Sequence, residues 1–460
     1  VVSLPSWVSL LKVRSGLSQV GKDTNPYVIA TVLNQGTWGP NTVYSVPGSL
    51  PNINLKPEIA SAFEIGTDVS FFKNRLGFDF TYYKVQNKNQ ILNAATSSMS
   101  GYGAATINAG NVENKGLEIG LNAVPVRTKD LTWDINANFT RERSQLKELT
   151  PGINQFLFWA SREVYAWTKV GDYIGSFYGT DMKRVPDGPY KGWPLLDANG
   201  KMQNGPAGGD YIGSYMHDFM VGLQTSVSYK SVSLSLSFDW RQWGKYMDET
   251  MLRLGRAGKV ENYHGGDPGS STFSGILSNN SFNGDMNALA NEIKSHPEVY
   301  QNNVWIGGRT QDLGGFLYSN GTYEGAFFPG VISDGAGGYK ENFGAAGTKI
   351  IKAYDVFQPS GGYFYLDQKT EWVYDATFVK LREIALSYTL PKSWAGKVGA
   401  QNIVLSGFMK NILLYAANKT NQDPEGMYNQ SPGGNTMQGF VLWNGSPIIM
   451  PIGFKLNVTF

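Results

Sequence analysis

Long stretches of this chain alternate apolar and polar residues with a period of two, a pattern that only an extended strand with two unlike faces can use. Phe63, Ile65, Thr67, Val69 and Phe71 fall on one face, and Glu64, Gly66, Asp68 and Ser70 on the other. Leu76, Phe78, Phe80 and Tyr82 alternate with Gly77, Asp79 and Thr81, and Leu117, Ile119, Leu121 and Ala123 with Glu118, Gly120 and Asn122. Leu131, Trp133, Ile135, Ala137 and Phe139 oppose Thr132, Asp134, Asn136, Asn138 and Thr140. Val232, Leu234, Leu236, Phe238 and Trp240 oppose Ser233, Ser235, Ser237, Asp239 and Arg241. The sequence closes on Ile448, Met450, Ile452, Phe454, Leu456, Val458 and Phe460 against Lys455, Asn457 and Thr459. A last strand ending on an aromatic is the arrangement expected of a bacterial outer-membrane protein.

Alternation alone also fits a soluble sandwich, so composition and connections have to decide. Charged residues make up 17% of the chain, against about a quarter in soluble domains. Mean hydropathy is nonetheless −0.27, and no apolar run reaches the ~18 residues of a membrane-spanning helix. A polar average in a membrane is possible when each strand turns one face to lipid and the other to a lumen. The connections 72–75, 127–130, 229–231 and 391–401 are short and polar, whereas 93–110, 244–362 and 416–445 are long and rich in Gly, Asn and Ser. Short and long connections thus alternate, as periplasmic turns and extracellular loops do. The fold class is all-β: a transmembrane antiparallel outer-membrane β-barrel.

Ten strands are legible, near 6–18, 57–72, 75–92, 111–126, 131–149, 218–229, 232–243, 372–390, 401–415 and 446–460. Strand direction requires zero or two more between 149 and 218, where 163–178 and 193–215 are candidates, and the expected total is about twelve. Phe63, Phe78, Ile119, Trp133 and Phe454 are expected to face lipid, with Asp68, Asp79, Glu118 and Asn136 on the lumen side. The chain has no cysteine, which excludes disulfides and thiolate metal sites. Its net charge of +2 argues against a nucleic-acid partner. No secretory signal opens it, so the start of the gene product is expected to be missing or removed.

Several segments resemble the SusC/RagA-type TonB-dependent transporters of Bacteroidetes. They are LLKVRSGLSQVGKDTNPY at 10–27, LKPEIASAFEIGTDVSFFKNRLGFDFTYYKVQNKNQIL at 55–92, INAGNVENKGLEIGLNAVPVRTKDLTWDINANFTRERSQLKEL at 107–149 and VYDATFVKLREIALSYTLPKSW at 373–394. The resemblance implies a 22-stranded barrel, of which residues 1–460 form the C-terminal part, with plug and N-terminal strands outside this sequence. It also implies TonB-energised import of oligosaccharides, or of peptides as the second class, with a SusD-like lipoprotein lid and no cofactor. The competing reading is a free-standing porin or autotransporter-type barrel of about twelve strands. The large insertion at 244–362 counts against it.

No motif points to enzyme chemistry. Gly101, Gly103 and Gly110 lack the following helix of a phosphate loop, and Asp197 with Asn199 reads as an Asn-Gly turn rather than a calcium loop. His217, His264 and His296 are too scattered for a zinc site. Trp159, Trp305, Tyr318, Tyr323 and Trp443 are the candidate substrate-binding residues, because aromatic faces stack on sugar C–H surfaces and peptide side chains. Packing within the loops, or a place in the interfacial aromatic girdle, is the competing role for each. The aromatics of 244–362 further suggest that this insertion folds over the outer face and docks the lid, rather than merely capping its own barrel.

Overall fold

The computed structural model describes residues 5–24, 28–95, 98–108, 110–151, 153–161, 164–180, 182–206, 208–256, 286–297, 306–307, 326–327, 329–343, 347–349, 373–418, 423–427, 439–441 and 448–460. Its frame is a ten-stranded antiparallel sheet in which every strand pairs with its sequence neighbour in the sheet. In chain order these are β1 (Val8–Lys22), β2 (Glu58–Phe71), β3 (Leu76–Lys88), β4 (Gly110–Arg127), β5 (Leu131–Leu149), β6 (Phe219–Tyr229), β7 (Val232–Gln242), β8 (Phe378–Thr389), β9 (Asn402–Ala416) and β10 (Ile452–Thr459). They are the ten strands that the alternation picks out. The two further candidates are a correction, since among the described residues the wall has ten strands rather than twelve. Val164–Lys169 and Ser176–Gly179 join a separate four-stranded sheet, and Leu195–Leu196 joins a three-stranded one. Glycine- and proline-rich stretches lack the long alternation a wall strand needs.

Register shows why the sequence folds this way. One row of paired residues runs Leu11, Val69, Phe78, Leu121, Ala137, Leu223, Phe238, Leu381 and Ile412 from β1 to β9. Every member is apolar. The adjacent row runs Lys12, Asp68, Asp79, Gly120, Asn138, Gly222, Asp239 and Lys380, and it is polar or glycine throughout. A slip of one residue at any strand would exchange these rows, so the pattern locks the register. Asp79 lies over Gly120 and Asn138 over Gly222, where a Cβ would collide with the neighbouring side chain. Asp68 and Asp79 stand directly opposite, a repulsive arrangement that is offset by Arg14 and Lys12, both paired with Asp68.

One bulge keeps the faces aligned. Between β7 and β8, Phe238 pairs with Leu381 and Leu236 with Ile384, so the extra residue at Arg382 returns Ile384 to the apolar face. Aromatics gather at both borders of the apolar band. Trp7 stacks on Phe71 at 5.6 Å at the short-turn border. Phe219 meets Phe139 at 5.5 Å and Trp240 at 5.0 Å at the other. Among the described residues β1 pairs with β2 alone and β10 with β9 alone, so the sheet is open between its two edges.

The lipid-facing assignment gives a direct expectation. Ile119 sits in register between Phe80 and Phe139, while its neighbour Glu118 is exposed on the opposite face. Ile119→Arg is expected to cost about 2–4 kcal/mol and to lower the yield of heat-modifiable folded barrel. Glu118→Gln is expected to leave that yield unchanged. Equal losses would mean the faces are reversed.

Candidate functional site

The long connections all leave the wall at one end, and there three of them fold together into a cap. Strands Gln155–Ser161, Val164–Lys169, Ser176–Gly179 and Asp210–Ser214 form one sheet of it. Lys245–Asp248 pairs antiparallel with Val373–Asp375 and parallel with Phe440–Val441. Leu195–Leu196 pairs with Gly330–Ser333, which pairs with Tyr339–Asn342. The connections β5–β6, β7–β8 and β9–β10 are thereby stitched into one body. Its core gathers Val164, Ala166, Phe177, Leu196, Tyr246, Met247, Leu252 and Val441, all nearly or fully buried.

Trp159 belongs to this core. It is buried, and its ring meets Phe177 edge-on at 5.4 Å, so it takes the packing role rather than offering a face to ligand. Trp305, Tyr318, Tyr323 and Trp443 lie outside the described residues. Asp197 forms a turn, its carboxylate accepting the amides of Asn199 at 2.8 Å and Lys201 at 2.9 Å. The strand Ala104–Asn108, not a helix, follows Gly101 and Gly103. Of the insertion 244–362, Lys245–Asp248 and 330–342 pack on this chain's own cap. The helix Met286–Ser295 is tied to Tyr339–Asn342 by Lys294–Glu341 at 2.6 Å.

Under the cap, on the inner face of the wall, lies a charge lattice that residue typing did not single out. Lys380 is fully buried and donates to Asp423 at 2.6 Å and Glu425 at 2.8 Å. Arg382 donates to Glu425 Oε2 at 2.6 Å and to Asp239 through Nε at 3.1 Å. Arg241 reaches Glu425 at 3.6 Å. Three cations meet three carboxylates, and all three cations lie within 6 Å of the buried Phe378 ring. The carboxylates Asp423 and Glu425 come from the β9–β10 connection, so the lattice clips that connection onto the wall. Burial works to raise the Glu425 carboxyl, and the hydrogen bonds and charges of Arg382 and Lys380 outweigh it and hold it at about 2. Burial, with the Arg241 and Arg143 cations, keeps the His217 imidazole below its ordinary value and therefore neutral. The sequence carried one usable signal: Lys380 and Arg382, two residues apart on an inner face, require counter-charges from elsewhere.

Residues 11–258, over half the chain, match the family described as TonB dependent receptor-like, beta-barrel. The chain belongs to that family. It is 24% identical over 430 residues to TonB-dependent receptor P3 of Formosa agariphila, covering 89% of this chain and 35% of that protein. It is 28% identical over 235 residues to the TonB-dependent receptor SusC of Bacteroides thetaiotaomicron, covering 46% of this chain and 22% of that one. Among solved structures, the RagAB peptide importer in its closed-closed state matches with a TM-score of 0.61 and 16% identity, over 99% of this chain and 42% of its counterpart. The chain thus spans about a third or less of the curated relatives' length. The SusC/RagA-type resemblance holds, and the chain is an outer-membrane β-barrel polypeptide of a Gram-negative bacterium. The family is one of TonB-dependent receptors, not an enzyme family. The long-loop end, with its cap, is the extracellular end.

Two expectations follow for this receptor's cap. The folded-state value for Glu425 lies below the ordinary 4.5, so its contribution to clipping residues 423–427 is complete above about 4.5 and is lost as pH falls toward 2. Hydrogen exchange in 423–427 should therefore rise over that window. Glu425→Gln should remove that dependence and destabilise the clip by roughly 1–3 kcal/mol, less than a fully broken buried pair because Asp423 still holds Lys380. Trp159→Ala should open the cap by about 3–5 kcal/mol in limited proteolysis while the wall keeps its heat-modifiability.

Proposed function

We propose that this chain forms part of the wall and the outer mouth of a TonB-dependent nutrient importer of the SusC/RagA type. Its ten strands are a consecutive portion of a larger closed barrel, expected to have 22 strands, whose plug couples to TonB. The substrate is an oligosaccharide, with peptides as the second class, and a SusD-like surface lipoprotein closes over the mouth. The observation that carries this reading is the architecture of the extracellular end. Three long connections interlock into a packed cap with a hydrophobic core and an ionic clip to the wall. A mouth that must hold substrate and partner needs a shaped, rigid surface. The SusC/RagA-type resemblance implies oligosaccharides first, and the fold likeness to the RagAB peptide importer is compatible with peptides. No prosthetic group is needed, since the energy enters through the TonB partner.

The insertion 244–362 is the proposed lid-docking wall of the chamber. Its segments 245–248 and 330–342 pack on the chain's own cap, and the stretch 271–318 between them is the part assigned to the partner. Deleting 271–318 from the assembled receptor should leave the barrel folded, reduce co-purification of the lipoprotein about tenfold, a loss of ~1.4 kcal/mol, and reduce substrate uptake in parallel. Retained lid and normal uptake in a folded deletion variant would remove the docking role from this insertion.

A further inference from the structure

The outer face changes character along one line. In a single register row, Leu17 on β1 pairs with Phe63 on β2, Phe63 with Lys84 on β3, and Lys84 with Lys115 on β4. Lys84 stands eight residues past Leu76, roughly 26 Å along the strand. With the usual tilt this carries it across most of an apolar band about 25 Å tall. The lysines therefore sit where hydrocarbon gives way to headgroups on the extracellular side.

These lysines do not stand singly. Glu113 is buried, and its carboxylate gathers Lys84 at 2.7 Å, Lys115 at 2.8 Å and Lys147 at 3.4 Å, with Gln86 donating at 3.5 Å. One carboxylate needs one counter-ion. Three leave a surplus of two positive charges held close together, on ammonium side chains that are 36%, 46% and 43% exposed. Beside them a groove of about 480 Å³ runs between Leu17, Phe63, Gln19, Ser61, Gln86 and Lys84. Leu17 and Phe63 join it to the apolar band, and Gln19, Ser61 and Gln86 line its extracellular side. Arg143, opposite Lys115, is instead turned to Asp218 and to the carbonyls of His217 and Asp218, and serves the cap.

We infer that the Lys84–Lys115–Lys147 cluster and the adjoining Leu17–Phe63 groove bind an outer-leaflet lipid whose headgroup carries phosphate. The cations take the phosphate and the groove takes one acyl chain. Glu113 acts as the organiser that keeps the three ammonium groups convergent, much as a preformed site lowers the cost of binding. A soluble anion fits less well, because the cluster opens sideways onto the lipid-facing surface and abuts an apolar groove. A membrane-surface lysine contributes a modest attraction to anionic lipid, and three held together multiply it. The inference rests on the outer-membrane placement of the barrel and not on what the receptor imports.

The test uses the assembled receptor in nanodiscs of phosphatidylethanolamine doped with either bis-phosphorylated lipid A or the same lipid with its phosphates removed. Native mass spectrometry reads the lipid retained on release. The expected result is enrichment of the phosphorylated lipid, falling at least about tenfold in Lys84→Gln/Lys115→Gln/Lys147→Gln and unchanged in Lys230→Gln at the opposite border. If the triple variant fails to assemble, Lys115→Gln alone should reduce enrichment several-fold. Equal retention of the two lipids, or undiminished enrichment in a folded variant, overturns the proposal. So does displacement of the lipid by millimolar inorganic phosphate, which would mark a site for a free anion.

Discussion

A backbone amide in hydrocarbon has no water to bond, so every N–H and C=O of a lipid-embedded strand has to find a partner in another strand. The whole arrangement depends on this constraint. It makes the ladder from β1 to β10 continuous, with each strand held by its neighbour and no crossover. It confines irregular backbone to the ends. The positive-φ residues Phe72, Lys73, Asn74 and Lys230 sit in the short turns, where water is available again. The departure inside the wall, at Arg382 and Asn411, lies next to the cap, where protein replaces lipid as the surroundings. The two sheet edges carry the same requirement, and that is the ground for proposing that this wall is part of a larger closed barrel.

Once the ladder is fixed, side chains have no freedom of face, and the two faces solve different problems. The outer face minimises polarity, and it does so row by row across neighbouring strands. On the inner face, charges gather into compensated groups at two places. Near β1 and β3, Arg14 bonds Thr81 and pairs with Asp68 across β2. Near β7 and β8, the Lys380–Arg382–Arg241 cations meet Asp239, Asp423 and Glu425. The second group borrows two of its anions from a loop. Folding the β9–β10 connection inward is therefore what neutralises the wall, and neutralising the wall is what holds the connection in place.

The wall was almost entirely legible in the sequence, because period-2 alternation is a local signal and each strand carries it independently. Ile119 and Glu118 could be assigned to opposite faces from their neighbours alone. The cap was not legible. Its strands are two to seven residues long, and pairs such as Leu195–Leu196 with Gly330–Ser333 join segments more than 130 residues apart. No local pattern encodes such a meeting. Trp159 illustrates the consequence: an aromatic in a long loop is equally suited to stack on a ligand or to fill a core, and only its contact with Phe177 decides. The ionic clip was half legible, since Lys380 and Arg382 announce a need for anions without saying where they come from.

The distribution of side-chain size along the inner face carries the last step. Toward the cap the lumen side bears Lys380, Arg382, Arg241 and the loop carboxylates that reach in to meet them. Toward the short turns it bears Ser226, Ser228, Ser233, Ser235, Ser387 and Ser406, with Ser228 bonded to Ser233 and Ser387 to Ser406 at 2.8 Å. Short hydroxyls that satisfy one another across the ladder leave this stretch of β6 to β9 polar and nearly flat, flanked in register by Asp134 and Lys455.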